Sequence, residues 1–103
     1  MKTKNSELVR FSLAGVQYSD YQLCAGLKAG SPVTFTWERS NPYDDMAIRV
    51  DYHGTKIGYV PKGPNQDLLH EQREDGIKIT GRVIAFNKNN PTWHLITVAV
   101  EAK

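Results

Sequence analysis

The 103-residue sequence predicts one mainly β domain with short helices, in which six antiparallel strands curl into a small barrel beside one main helix. Three observations predict it. Short runs of alternating apolar and polar residues recur along the chain, each bounded by Gly, Pro, Asn or Asp. Only the segment 64–75 carries both a clear helix start and a clear helix stop. The composition, 40% hydrophobic and 23% charged, is that of a chain able to bury a core, and the length suits one domain, 7–103, behind a disordered polar tail at 1–6.

The elements follow in chain order. Val9, Phe11 and Leu13 alternate with Leu8, Arg10 and Ser12, so 7–14 reads as a strand that Gly15 ends. Ser19 can cap a short helix over about 19–26, with Gly26 and Gly30 stopping it early. Val33, Phe35 and Trp37 alternate with Thr34 and Thr36, which makes 31–38 the clearest strand and places its two aromatics in the core. Ser40-Asn41-Pro42-Tyr43-Asp44-Asp45 is turn chemistry, because a residue before proline disfavours helix and Asp bonds its own backbone. A strand at 47–52 points Ile48 and Val50 inward, His53-Gly54 turns the chain, and 55–60 returns. Gly58 within that return strand marks a bulge or a close approach of another backbone.

In the helix, Pro64 suits the first helical position and Gly76 the stop. Leu68 and Leu69 form its small apolar face, and Glu71-Gln72-Arg73-Glu74-Asp75 a solvated one. Strands at 77–86 and 92–101 flank a polar turn at 87–91, with Ile96, Val98 and Val100 opposite Leu95 and Ala99 on the last strand. A small, partly open barrel of the OB or SH3 kind closes such a sheet and hides its edges.

Composition narrows the function classes. Cys24 is the single cysteine, which excludes an intrachain disulfide and a thiolate zinc site within the chain; it reads as a small buried apolar group in a reducing, cytoplasmic setting. His53, His70 and His94 lack ligand spacing, and His70 and His94 read as surface or satisfied residues. No apolar run follows the basic N-terminus and none reaches the length of a membrane span, so neither a signal peptide nor a membrane partner is expected. A net charge of +2 permits nucleic-acid binding only through a local basic surface. Asp44 and Asp45 are adjacent and need Glu38 or Asp51 to complete a metal site, so no metal or cofactor is expected.

The densest signal is the spacing Gly15-x-x-Tyr18, then Asn41-Pro42-Tyr43-Asp44-x-x-Ala47-Ile48-x-Val50, then Ile57-Gly58-Tyr59-Val60-Pro61-Lys62. This pattern resembles the HIRAN domain over roughly residues 8–100, and the Asn-Pro-Tyr-Asp run with Ala-Ile-x-Val at fixed distance is its specific part. The resemblance implies an OB-like, non-enzymatic module that captures the 3′-hydroxyl end of single-stranded DNA in repair or replication-fork processing, beside a helicase or other DNA-processing protein. It implies that Tyr18 and Tyr43 stack on the terminal base, that Asp44 accepts a hydrogen bond from the 3′-hydroxyl, and that Asn41 contacts the backbone or shapes the loop. It gives Lys62 a phosphate and Phe86 a further stacking role. Gln17 stands where DNA-capturing members carry arginine, and Tyr59 where some place histidine.

The chemistry of the residues agrees. Stacking on an aromatic ring is worth roughly 1–3 kcal/mol per base and tolerates any sequence. A carboxylate beside a polyanion is unfavourable unless it meets a hydroxyl donor, and a 3′-phosphate there brings like charges together. Arg39, Lys56, Lys62 and Lys88 can add salt-dependent phosphate contacts. Other readings of the same residues stay open: a purely structural turn at 41–44, a protein-interaction adaptor without DNA-end binding, and a metal-dependent nuclease built on Asp44, Asp45 and Glu38. Trp93 is open between packing and a second stacking surface.

Overall fold

The computed structural model describes residues 6–102; the expected tail lies outside them apart from the backbone of Ser6, as does the side chain of Trp93. Six strands and one α-helix follow in the order β1 (Ser6–Ser12), β2 (Pro32–Trp37), β3 (Ile48–Tyr52), β4 (Thr55–Tyr59), α1 (Pro64–Glu74), β5 (Ile79–Phe86) and β6 (Ile96–Ala102). Single 3-10 turns occupy Val16–Tyr18, Tyr21–Leu23 and Thr92–His94. The strands form one antiparallel sheet in the order β1-β6-β5-β2-β3-β4, which leaves β1 and β4 as its edges. The sheet curls until those edges touch. Just beyond β1, Ala14 N–H donates to the Tyr59 carbonyl and Tyr59 N–H donates back to the Ala14 carbonyl, each at 2.8 Å. The expected OB-like barrel therefore exists in its partly open form, joined at one bridge.

Alternation along each strand fills the interior. Phe11, Leu13, Val33, Ile48, Val50 and Ile57 meet Val83, Ile96, Val98 and Val100 in a single core, and Leu69 adds α1 to it. Each buried aliphatic of this size contributes roughly 1.5–3 kcal/mol. Gly58 does what the sequence indicated: a Cβ there would lie 3.0 Å from the Ala14 carbonyl oxygen and from Leu13 Cβ, so its bareness admits the closing bridge. The β3–β4 register slips beside it, between Val50 and Asp51. Gly81 on β5 faces Val33 on β2, and the Phe35 ring covers it.

Several expectations take a different form. The helix expected at about 19–26 is the single 3-10 turn Tyr21–Leu23. Ser19 Oγ donates to the Val16 carbonyl at 2.7 Å and accepts from Tyr21 N–H at 3.3 Å, so it joins two tight turns instead of opening a helix. β5 begins at Ile79 instead of residue 77, and β6 at Ile96 instead of 92, because Thr92–His94 is a 3-10 turn. The buried face of α1 is Gln66, Leu69 and His70, with Leu68 only half-buried. Polar residues hold two of those three places because the loop before β3 supplies their partners; His70 Nε2 lies 2.8 Å from the Met46 carbonyl as its donor. Cys24 is half-buried, and burial followed by the Asp20 charge pushes its thiol pKa up. Trp37 is half-buried at the barrel rim and stands outside the core cluster. Among the described residues, no helix is long and apolar enough to cross a membrane, and no three His, Cys, Asp or Glu side chains gather as metal ligands.

Candidate nucleic-acid interface

Two loops present the motif residues. Gly15 adopts a left-handed conformation (φ +67°), which turns the chain away from β1 into the 3-10 turn Val16–Tyr18. Tyr18 N–H donates to the Gly15 carbonyl at 3.0 Å, and Val16 is fully buried. The turn is thus pinned on one side while Tyr18 stands in solvent, 81% exposed. This is the physical content of the Gly-x-x-Tyr spacing.

The second loop, between β2 and β3, is organised by Asn41. Its Oδ1 accepts from Tyr43 N–H at 2.9 Å and from Asp44 N–H at 3.1 Å, while its Nδ2 donates to Glu38 Oε1 at 3.0 Å. The same Glu38 oxygen accepts the Tyr59 hydroxyl at 2.7 Å. Asp44 Oδ1 accepts from Met46 N–H at 3.0 Å, and Oδ2 accepts from the Gln66 amide on α1 at 3.0 Å. Asn41 and Asp44 therefore shape the loop themselves. Tyr43 does not: its ring is 91% exposed at the loop tip.

These residues enclose a cleft of about 720 Å³, lined by Tyr18, Asn41, Tyr43, Asp44, Tyr59 and Lys62, with Lys56 and Gln66 among its other walls. Lys56 Nζ lies 5.4 Å from the centre of the Tyr59 ring. The electrostatics are set locally. The Gln66 amide first, then Met46 N–H and the Lys62 charge, hold the Asp44 carboxyl below its usual range, so it is an ionised acceptor at neutral pH. Each of its oxygens takes one protein bond and keeps a lone pair for a further donor. Burial pushes Glu38 upward, but the hydrogen bonds from Tyr59 and Asn41 and the charges of Arg49 and Lys56 outweigh it, and its pKa is lowered. Burial and the Glu38 hydrogen bond raise the pKa of Tyr59, which stays a donor.

Three of the residues singled out in the sequence lie elsewhere. Gln17 is exposed beside Tyr18 but does not line the cleft. Arg39 sits over the Trp37 ring, 4.2 Å from its centre. Phe86 lines a separate hollow with Tyr21, Cys24 and Lys88, edge-on to Tyr21 at 6.2 Å. Sequence reading also passed over Gln66 and the organising role of Glu38. Glu38 had a signal, its place at the head of the densest motif; Gln66 had none, since it depends on α1 docking against the loop.

A profile of the HIRAN domain matches residues 6–101. No curated protein matches the chain significantly. Among solved structures, the chain is similar to the HIRAN domain of human HLTF, with 22% identity and a TM-score of 0.71 over 94% of this chain and 74% of that one. It is also similar to a protein from Lactobacillus plantarum, with 25% identity and a TM-score of 0.71 over 95% of this chain and 97% of that one.

Proposed function

The chain belongs to the HIRAN domain family, a family of nucleic-acid-binding modules, and on that premise we propose that its cleft captures the 3′-hydroxyl end of single-stranded DNA. The observation that supports this most is the pair of tyrosines, 81% and 91% exposed, held on two loops of one cleft whose wall carries an ionised Asp44. Rings that exposed contribute little to folding, and a base stacked on one contributes roughly 1–3 kcal/mol to binding. Asp44 gains from a hydroxyl donor and is repelled by a phosphate. Lys56 and Lys62 balance the backbone charge. In this reading the domain binds and does not catalyse, and it works in the cytoplasm beside a DNA-processing enzyme such as a helicase in repair or fork processing.

Fluorescence anisotropy with oligonucleotides that differ only at the 3′ end tests the reading. The hydroxyl end is expected to bind about tenfold more tightly than the phosphate end. Asp44→Asn keeps the bond to Met46 N–H, and the Gln66 amide can turn to meet the new donor, so the loop survives while the preference for hydroxyl collapses. Equal affinity of the unaltered protein for both ends removes end capture. Gln17 offers a gain-of-function counterpart, since an arginine at that exposed place restores a cation beside Tyr18. Gln17→Arg is expected to tighten binding and to steepen the dependence of log K on log salt by about 0.7, one added phosphate contact on a single strand. An unchanged slope shows that this side chain points clear of the strand.

A further inference from the structure

The loop that carries Tyr43 and Asp44 has a second side. Trp37 Nε1 donates to the Asp45 carbonyl at 2.7 Å, and His70 Nε2 lies 2.8 Å from the Met46 carbonyl, so the loop is tied by its backbone to a groove between β2 and α1. Asn41, Asp44 and Ala47 of the same loop line the cleft. The groove, about 350 Å³, is floored by Phe35, Trp37, Ile48 and Leu69 and rimmed by Arg73 and Lys78. The cleft and the groove are thus separated by a wall one loop thick.

Resting on the reading of the cleft as a strand-end site, we propose that the strand passes over this wall and that its phosphodiester backbone is held by Arg73 and Lys78, which line the groove, and by Arg39, which lies over the Trp37 ring beside it. The guanidinium carbons of Arg39 and Arg73 lie 4.2 and 4.1 Å from the centre of the Trp37 ring. Stacking fixes the plane of a guanidinium and leaves its N–H donors at the edges, where a phosphate is bound in two-point fashion. Among the described residues neither arginine pairs with a carboxylate; Arg73 has only a 3.4 Å contact to His70 Nδ1. A stack serving the fold alone does not need two cations with most of their donors unspent.

Charge separation supports the same occupant. The net charge of the chain is only +2, yet the lining of the groove holds Arg73 and Lys78 and no carboxylate. On α1, Gln66, Leu69, His70 and Arg73 share one face at helical spacing, while Asp67, Glu71 and Glu74 lie at least a quarter-turn round the axis from Arg73. The helix thereby turns its acids away from the groove. Asp45 is exposed on the loop, and its contact with Trp37 is through its backbone carbonyl, not its carboxylate. A local cationic track on a nearly balanced chain is the footprint of a polyanion that must follow one path.

The test compares two 3′-hydroxyl probes: a dinucleotide, which the cleft alone can hold, and an oligonucleotide of about eight nucleotides, which must leave it. The double variant Arg39→Gln, Arg73→Gln is expected to bind the dinucleotide as before and to lose about tenfold for the longer probe. Its salt slope should fall by about 1.4, two contacts at roughly 0.7 each. Lys78→Gln guards against misfolding, because Lys78 is exposed and its loss disturbs no stack; its slope should fall by about 0.7. Unchanged affinity and slope for the longer probe in the folded variants overturn the groove proposal while the cleft stands. Failure of the unaltered protein to bind either probe overturns the cleft reading and this one with it.

Discussion

Replacing Gly81 by alanine is expected to destabilise the domain by about 2–3 kcal/mol, more than most single methyl additions. A Cβ at this position would lie 2.6 Å from both Cε2 and Cζ of Phe35 and 2.9 Å from Val33 Cγ2. Val33 is buried and pairs directly across from Gly81, so it has no room to retreat. The Phe35 ring moves as a rigid plate, and carrying it outward strips it from the core it is packed against. An aromatic laid over a bare strand position is a recognised way of filling the gap that glycine leaves. Denaturant titration should show a lower midpoint with little change in slope, and heating should show a fall in Tm of roughly 10–20 °C for a domain of this size. Phe35→Leu placed on the Gly81→Ala background should recover a large part of the loss. If the two penalties simply add, the clash is not between these side chains.

Removing both exposed tyrosines should do to binding what Gly81→Ala does to folding. Tyr18→Ala and Tyr43→Ala are each expected to weaken single-strand binding by about 1–3 kcal/mol, and the double variant by about 2–6 kcal/mol. Stability should hardly change, because both rings stand in solvent and neither belongs to the core cluster. Phenylalanine at either place should retain most of the affinity, since stacking uses the ring and not the hydroxyl. Anisotropy titration gives the affinity, and a melt of each variant confirms the fold. Undiminished binding by the double alanine variant would remove the aromatic platform from the mechanism.

Local chemistry was readable where one short segment decides its own shape. The Asn41-Pro42-Tyr43-Asp44 turn closes on its own side chains, and both it and the close approach at Gly58 follow from the identity of the residues. Depth was less readable. Trp37 continues the alternation of Val33 and Phe35 and so shares their face, but the pattern does not show that the strand has by then reached the rim of the barrel. Helix α1 illustrates the converse. Gln66 and His70 are buried because Asp44 and Met46, more than twenty residues away, receive their hydrogen bonds, and no count of apolar residues within the helix contains that information. The sites divide in the same way. Motif spacing selected residues that meet in one cleft, whereas Arg39 and Phe86 went to other faces because spacing along a chain does not say which rim of a barrel a loop will join.

The paired amides of Ala14 and Tyr59 lie in two residues that also line the cleft. The seam of the cylinder and the mouth of the receptor are thus one place. A guest that needs the mouth formed prefers the cylinder shut, and by reciprocity a shut cylinder prefers the guest. On the proposed reading, occupancy and closure share a single equilibrium, and the bridge between Ala14 and Tyr59 is strengthened by what the cleft holds.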